Sequence, residues 1–456
     1  MSKETLSRDL TVGKPFAQLV TFSIPFVISN LLQQAYSLAD MAIVGQFIGS
    51  KGLAAANAGS EIAMFYLFLC MGFSAAGQII IAQNVGVGNT RGVSRTIGTL
   101  FSIQAIIGLI CCTTAFILCD GFLDLINVPE EAMADARIYS LVLYAGMIPV
   151  FGYNTISAIL RGMGDSKHPM IFIAFSASLN VVLDLLFVGP LKMGCFGAAL
   201  ATSLSQTIAF IVSTIFLIRR KEAFGFDFKL RSFAVDKAIA KSILSLGTPL
   251  TLQNAAISLS IIYVNSYINA MGVAAAAATA VGSKVTLLAT ICTQAFYTAG
   301  SSIVAQNFAA GKHKRVTQTI VYTGIISIAY CGIISIILVL FPEFIFGIFD
   351  RNPEVLALSH VYAPIGAINF MGFASRAPAI CFINGIGNSK LAFATGVADG
   401  IVARISLSLL FGITMGMGIR GFWMGSAIAG YMFAVVGLVY YFMGTWRHRK
   451  TLVAEQ

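Results

Sequence analysis

Long apolar segments separated by short polar connections form the dominant pattern of the chain. A helix needs ~20 apolar residues to cross the hydrocarbon core of a membrane, and about twelve segments meet that requirement. They are centred near residues 30, 67, 107, 148, 179, 207, 255, 290, 329, 370, 402 and 432. The segments do not alternate between apolar and polar residues as barrel strands do. The pattern therefore predicts an all-α membrane protein with twelve transmembrane helices, which satisfy their own backbone hydrogen bonds in lipid.

Composition and charge agree with a membrane protein and add its topology. Hydrophobic residues make up 57% of the chain and charged residues 11%, against ~25% charged residues in soluble domains. Most Lys and Arg precede helix 1, follow helix 12 or lie in the even-numbered connections. The odd-numbered connections hold Lys51, Arg137, Lys192, Arg351 and Arg420. Because cations accumulate on the cytoplasmic side, we expect a multi-pass protein of the plasma or inner membrane with both termini in the cytoplasm. The net charge of +10 is then a topology signal, and we expect no binding of nucleic acid.

Several motifs occur twice, 223 or 224 positions apart. The pairs are Pro25 and Pro249, Asn30 and Asn254, Gly59-Ser60 and Gly282-Ser283, Ala82-Gln83-Asn84 and Ala305-Gln306-Asn307, and Gly162-Met163-Gly164-Asp165-Ser166-Lys167 and Gly385-Ile386-Gly387-Asn388-Ser389-Lys390. Each half has six predicted helices, an even number, so the halves form a parallel repeat of the kind found in secondary transporters. We predict an N-lobe over 1–218, a basic cytoplasmic linker over 219–241, and a C-lobe over 242–456 that ends in a short cytoplasmic tail.

Polar side chains in the first half are candidates for a binding site, because ionisable groups inside membrane helices are costly and functional by default. Predicted helix 1 carries Asn30, Gln33, Ser37 and Asp40 on one helical face, with Tyr36 four residues before Asp40. Helix 5 carries Asn180 and Asp184, also four residues apart, while Asn154 lies in helix 4 and Thr202 in helix 6. Their oxygens suit a small hard cation, and a pair of buried carboxylates can instead share a proton. The alternative for Asn154 and Thr202 is an interhelical hydrogen bond that only holds the bundle together.

The second half does not repeat these side chains. Asp40 aligns with Val264, and Asp184 aligns with Leu407 or Ser408. Predicted helices 7 and 10 lack carboxylates, and we expect Asp399 and Arg404 in helix 11 to form a structural pair. Pro25, early in helix 1, removes a backbone hydrogen bond and can bend that helix, although such bends are also routine in membrane bundles.

The duplicated motifs and the stretch from Ile24-Pro25 through Ser37-Leu38-Ala39-Asp40 to Val44-Gly45 resemble the multidrug and toxic compound extrusion (MATE) family over essentially the whole chain. This resemblance implies export of cationic or amphipathic compounds in exchange for inward H+ or Na+, without ATP. The carboxylates of the first half are similar to those of the DinF-like branch. There Asp40 and Asp184 match cation-coupling positions, surrounded by Asn154, Asn180 and Thr202, with Tyr36 close by. The NorM-like branch also uses acidic residues on helices 7 and 10, which this sequence lacks.

The leading hypothesis is therefore a monomeric drug antiporter that works by alternating access. Asp40, Asp184, Asn180, Asn154 and Thr202 would couple H+ or Na+, and Na+ would bind at Asp40, Asn180, Asp184 and Thr202. Tyr36, Gln33, Ser37 and Asn30 would line the substrate cavity, and no resident cofactor is needed. The alternatives are a lipid or lipid-linked oligosaccharide flippase of the same superfamily, and a membrane enzyme that uses Asp40 and Asp184 as an acid–base pair.

Overall fold

The computed structural model describes residues 8–126 and 128–453, with all of their side chains except that of Ala223. Every regular element within these ranges is helical, which confirms the predicted all-α fold. The first half and the linker contain α1 (Pro15–Phe47), α2 (Ser50–Gly86), α3 (Thr90–Ile117), α4 (Cys119–Leu125), α5 (Glu130–Ala145), α6 (Met147–Gly162), α7 (Lys167–Val188), α8 (Gly194–Arg219), α9 (Lys221–Phe224) and a 3₁₀ turn (Leu230–Phe233).

The second half contains a similar series with one irregular helix. Its elements are α10 (Lys237–Asn269), α11 (Val273–Ala309), α12 (His313–Leu340), α13 (Pro342–Gly347), α14 (Pro353–Gly385), α15 (Ser389–Val397), α16 (Ser406–Leu409), α17 (Ile419–Ala429) and α18 (Met432–Phe442). Two π-helical segments, Ala398–Ile405 and Leu410–Thr414, flank α16 and continue the helix that α15 begins. A 3₁₀ turn (Thr445–His448) follows α18.

The structure has a helix or a helix pair at each of the twelve predicted positions. In the described part of the chain, ten helices are long and apolar enough to span a membrane. The pair α5 and α6, bent by 46°, makes an eleventh if it counts as one span. The remaining helix, α10, is less apolar because Gln253, Asn254 and Asn265 interrupt its apolar residues.

The duplicated turns have the same backbone conformation in both copies. Gly88 and Gly311 follow the Ala-Gln-Asn motifs with φ of 71° and 70°. Gly164 and Gly387 lie in the second pair of motifs with φ of 84° and 72°. Positive φ favours glycine over residues with a Cβ atom. The repeat in the sequence is therefore a repeat of backbone geometry.

Asp165 follows Gly164 and Asn388 follows Gly387, and each of these two residues caps the helix that begins next. Asp165 accepts hydrogen bonds from the backbone N–H groups of Lys167 and His168, at 3.0 and 3.1 Å. Its counterpart Asn388 accepts a hydrogen bond from the N–H of Leu391 at 3.3 Å. Asp and Asn both serve this purpose because each offers a side-chain oxygen to the free N–H groups of a helix start.

The chain divides into two compact units. Unit 1 consists of Ile28–Gly247 with short terminal segments, and unit 2 consists of Leu10–Val27 and Thr248–Leu452. The chain thus changes unit inside α1, just after Pro25, and inside α10, just before Pro249. The predicted linker is counted with unit 1. The prediction that both termini are cytoplasmic concerns residues 1–7 and 454–456, which lie outside the described residues.

The segment that precedes α1 is bound within unit 2. The Arg315 guanidinium donates hydrogen bonds to the carbonyl oxygens of Leu10, Val12 and Gly13 at 3.2, 3.3 and 2.6 Å. Lys312 Nζ donates to the carbonyl oxygen of Thr11 at 3.0 Å. We call these two cations and residues 10–13 the N-terminal clasp.

The segment that precedes α10 is bound within unit 1 in another way. Asp236 accepts hydrogen bonds from the N–H groups of Ala238 and Ile239, at 3.0 and 3.1 Å, and forms an ion pair with Arg95. The hydrogen bond from Ile239 and the contact with Arg95 lower the pKa of Asp236 below its usual value. Asp236 therefore caps α10 and ties its start to α3.

Candidate functional site

The two carboxylates predicted in the first half lie together inside unit 1. Asp40 is half-buried in α1, and Asp184 is fully buried in α7. Their carboxyl groups are within hydrogen-bonding reach of one another. Two carboxylates this close cannot both remain charged without compensation, so the pair requires a proton or a cation.

Several oxygens of this site are buried and accept no hydrogen bond from the described residues. They are Asp40 Oδ1, Asn180 Oδ1, and both Oδ1 and Oδ2 of Asp184. A buried acceptor without a donor is costly, and native proteins rarely leave one without a role. Carboxylate and amide oxygens are ligands that hard cations prefer. The arrangement can hold a small hard cation, or one proton shared by the two carboxylates.

Asn180 is held in place by α8. Its Nδ2 donates a hydrogen bond to Thr202 Oγ1 at 3.3 Å. With its nitrogen engaged, Asn180 presents Oδ1 as the free end of the amide. Asn180 and Asp184 lie on one face of α7 because they are one helical turn apart.

A small pocket lies in unit 1 beside this site. It is lined by Gln33, Tyr36, Tyr153, Ile173, Ser176, Ala177, Asn180, Thr202, Ser205 and Gln206. Its lining combines aromatic rings, small side chains and hydrogen-bonding groups, which is typical of sites that bind organic molecules. Asn180 and Thr202 belong both to the pocket and to the candidate cation site.

Four other predicted residues do not line the pocket. Asn154 donates a hydrogen bond to the carbonyl oxygen of Val150, within its own helix α6, at 2.9 Å. Neither Asn154 nor Asn30 nor Ser37 is among the residues that line the pocket. Ser37 is exposed, Asn30 is half-buried, and Pro25 lies inside α1.

Two tyrosines at the site are not among the residues predicted from the sequence. Tyr139, almost fully buried, lies close enough to Asp40 and Asp184 to feel the charge of both carboxyl groups. Its ring packs on Gly59, where an added Cβ would be 2.6 Å from the nearest ring atom. Tyr153 lines the pocket and donates a hydrogen bond to the carbonyl oxygen of Pro169 at 3.3 Å.

The repeat itself contains a signal that points to Tyr139. In the second copy, Tyr362 lies 223 positions after Tyr139 and packs on Gly282, the counterpart of Gly59. The Tyr362 hydroxyl donates a hydrogen bond to the carbonyl oxygen of Gly282 at 3.0 Å. A search of the sequence for recurring tyrosines, in addition to recurring glycines, would have found this pair.

Acidic residues in the second half are differently arranged. Asp399 and Arg404 form the expected pair, with Arg404 Nη2 2.9 Å from Asp399 Oδ1. The prediction that helices 7 and 10 lack carboxylates is wrong for the second of them, because α14 begins earlier than expected and its first turn includes the exposed Glu354. In the part of the chain that the structure describes, no group of three or more His, Cys, Asp or Glu could hold a metal ion.

The comparison with protein families gives two matches to one family. The MatE model matches residues 25–186 and residues 249–410. The two matches together cover most of the chain, and each begins at one of the paired prolines, Pro25 and Pro249.

Individual proteins of similar sequence and fold cover nearly all of the chain. The "Probable multidrug resistance protein YpnP" of Bacillus subtilis is 28% identical, over 97% of this chain and 98% of that protein. The "Probable multidrug resistance protein NorM" of Thermotoga maritima is 25% identical, over 96% of this chain and 95% of that protein. A solved structure, described as an outward-facing conformation of a multidrug resistance MATE family transporter, superimposes with a TM-score of 0.90 over 99% of this chain and 100% of that chain. At 23% identity this likeness supports the fold.

Proposed function

The chain belongs to the MatE family, and from that premise we propose that it is a multidrug efflux antiporter of the cell membrane. It exports cationic or amphipathic organic compounds and takes up H+ or Na+ in exchange. Its closely related sequences carry multidrug resistance names over almost their full length, which supports this cargo. It is a transporter and not an enzyme, so Asp40 and Asp184 bind and release ions without forming a product.

The observation that carries the proposal is the pair of Asp40 and Asp184 beside the pocket, in which Asp40 Oδ1 and both carboxylate oxygens of Asp184 accept no hydrogen bond from the described residues. A cation or proton that occupies the pair neutralises it. A cationic substrate in the pocket is attracted to the same pair when the ion has left. The two ligands therefore compete for one region of negative charge.

This competition provides the coupling. From the outside, an ion binds at Asp40 and Asp184 with help from Asn180 and Thr202, and the substrate dissociates. From the cytoplasm, a substrate binds as the ion leaves. Such coupling is reciprocal: the factor by which the ion weakens substrate binding equals the factor by which the substrate weakens ion binding.

The proposed details follow the DinF-like arrangement of this family. The coupling residues lie in unit 1. In unit 2, Val264 occupies the position that corresponds to Asp40, so this position has no carboxylate. Asn154 belongs to the proposed coupling set, with its amide nitrogen bound to the backbone of its own helix α6. Pro25, which removes a backbone hydrogen bond inside α1, lets this helix change its packing between the two states, and the protein acts as a monomer with both termini in the cytoplasm.

The test is ethidium transport in proteoliposomes under an imposed pH gradient or Na+ gradient. We expect one of the two gradients to drive transport, and Asp40→Asn and Asp184→Asn to abolish it while both variants remain folded. The matched control is Asp124→Asn, a charge removed at the end of the short helix α4, away from the pocket lining.

Two results would contradict the proposal. If neither gradient drives transport in folded protein, the ion-coupled mechanism is wrong. Scrambling of labelled lipid in the same vesicles would then identify a flippase. If both Asn variants retain gradient-driven transport, the carboxylate pair is not the coupling site.

A further inference from the structure

Unit 2 contains an arginine whose guanidinium is only weakly paired within the described part of the chain. Arg376 lies in the middle of α14, in a helix long and apolar enough to span a membrane. Its Nη1 is 3.8 Å from Asp399 Oδ2, and it makes no hydrogen bond to the described residues. The side chain keeps 16% of its exposure, so its N–H groups are not sealed off.

Within unit 2, the charge of Arg376 is only partly neutralised. Asp399 already pairs with Arg404 at 2.9 Å, and one carboxylate cannot neutralise two guanidinium groups. The other carboxylates of unit 2 are Glu343, Asp350 and Glu354, which lie at or next to the ends of α13 and α14 and not along the spans. The cluster of Arg376, Asp399 and Arg404 thus keeps a net positive charge inside the helical unit.

The π-helical segment explains why Asp399 pairs more closely with Arg404 than with Arg376. Asp399 and Arg404 are five residues apart, a spacing that faces different directions in an α-helix. A π-helix has i→i+5 hydrogen bonding, which brings residues five apart onto one side. The Ala398–Ile405 segment therefore builds the Asp399–Arg404 pair within one helix and leaves Arg376, on α14, available.

The internal repeat identifies the positions of unit 1 that correspond to Arg376 and Asp399. Arg376 lies 223 positions after Tyr153, and Asp399 lies 223 positions after Ser176. Tyr153 and Ser176 both line the pocket of unit 1. Arg376 and Asp399 therefore occupy, in unit 2, the positions whose counterparts contact the pocket in unit 1.

The groups around Arg376 suit an aromatic ligand that carries an anion. The Arg376 guanidinium carbon lies 5.5 Å from the ring centroid of Phe373 and 5.0 Å from that of Phe433. Tyr297 packs against the small apolar cluster to which Phe433 belongs. A guanidinium presents a planar set of donors that matches a carboxylate with two parallel hydrogen bonds. The rings hold that plane in a fixed orientation and add apolar surface for an aromatic ligand.

We propose that Arg376 binds the carboxylate of aromatic amphipathic substrates. This proposal rests on the proposed function in one respect: the ligand of Arg376 is a transported compound only if the protein is a drug transporter. The binding itself depends only on the contacts in unit 2.

The test compares two dyes that differ in one group. Rhodamine 110 has a free carboxylate, and rhodamine 123 is its methyl ester. Binding of each dye to the full-length protein in lipid nanodiscs is measured by fluorescence anisotropy, for the wild type and for Arg376→Gln, Arg376→Lys and the control Arg420→Gln, an exposed arginine of the same unit.

We expect Arg376→Gln to lower the affinity for rhodamine 110 relative to rhodamine 123 by about tenfold or more, since two charge-assisted hydrogen bonds are lost. Arg376→Lys keeps the charge but not the planar set of donors, and we expect it to restore part of the ratio. Arg420→Gln should leave the ratio at the wild-type value.

Three outcomes would overturn the proposal: wild-type protein that binds only the ester, an unchanged ratio in Arg376→Gln, or an equal loss of both dyes in folded Arg376→Gln. Export of both dyes and of ethidium from proteoliposomes separates this test from that of the proposed function. If the wild type exports none of them but binds rhodamine 110 through Arg376, antiport is wrong and the carboxylate site stands.

Discussion

Unit 1 and unit 2 have matching turns and helices but different polar groups in their interiors. The paired glycines have nearly equal φ, and each unit packs a tyrosine on the same glycine of the repeat. Unit 1 places Asp40 and Asp184 together, and three of their four carboxylate oxygens are buried without a donor among the described residues. Unit 2 places two arginines around one carboxylate, Asp399.

The two copies of the repeat thus share the residues that shape the backbone, whereas the residues that bind ligands differ between them. A turn glycine with positive φ cannot change without strain, so it remains in both copies. A side chain that lines a pocket has no such constraint. Tyr153 and Arg376 illustrate this freedom, because they occupy equivalent positions with unrelated chemistry.

The same substitution should have opposite effects on stability in the two units. Asp399→Asn leaves two largely buried arginines without a counter-charge, and we expect it to cost ~3–5 kcal/mol. Asp184→Asn removes a buried carboxylate that no donor satisfies, and we expect it to be neutral or stabilising. Thermal unfolding of the purified protein in one detergent, at one pH, gives the two apparent midpoints side by side.

An equal loss of stability in both variants would contradict this comparison. It would mean that Asp184 has a permanent structural partner. The double variant Asp399→Asn with Arg404→Gln serves as the control, since it removes both members of the ion pair and should recover part of the loss.

The N-terminal clasp gives a second contrast, because the repeat position of Arg315 in unit 1 is Gly92. An added Cβ at Gly92 would lie 2.1 Å from Asn84 Oδ1, so that position has no room for a long side chain. Arg315→Gln removes the hydrogen bonds to residues 10–13, and we expect a loss of ~2 kcal/mol. Lys314→Gln, an exposed neighbour, is the control. Hydrogen exchange should show faster exchange at residues 10–13 in Arg315→Gln only, and unchanged exchange there would exclude a role for the clasp.

The smallest expected effect concerns Asp236, which holds the corresponding segment before α10. Asp236→Ala removes the cap of α10 and the ion pair with Arg95, for a loss of ~1 kcal/mol. The lowered pKa of Asp236 means that its stabilisation is fully present above its unfolded pKa of ~3.9 and is lost as the pH falls through the lower folded value. The difference in unfolding midpoint between wild type and variant should therefore be constant from pH 5 to pH 7 and decrease below about pH 4. A difference that decreases above pH 5 would assign the effect to another group.

Much of the fold follows from the sequence because the signals are local. The length of the apolar segments predicts the helices, and the paired motifs predict the repeat and its turns. Asn180 and Asp184 share a face of α7 through simple helical spacing. The approach of Asp40 in α1 to Asp184 in α7 is a tertiary contact, and sequence spacing holds no information about it.

The features that were missed depend on contacts between helices or on irregular backbone. Asn154 and Asn180 look alike in the sequence, and only the structure shows that the Asn154 amide nitrogen bonds to its own helix whereas that of Asn180 bonds to Thr202. Tyr139 is one of 14 tyrosines, and only its packing on Gly59 distinguishes it from the others. The pairing of Asp399 with Arg404 was expected, but its cause, a π-helical turn, has no periodicity that a hydrophobic pattern reveals.

The N-terminal clasp also sets where the chain can be shortened or fused to another protein. Helix α1 begins at Pro15, which suggests that a chain shortened to start at Lys14 would be complete. Such a shortened chain would lack the four carbonyl groups of residues 10–13 that Arg315 and Lys312 contact, and it would expose the donors of both cations. Fluorescent proteins, purification tags and protease sites therefore belong before Leu10, so that unit 2 keeps this short segment as part of its own structure.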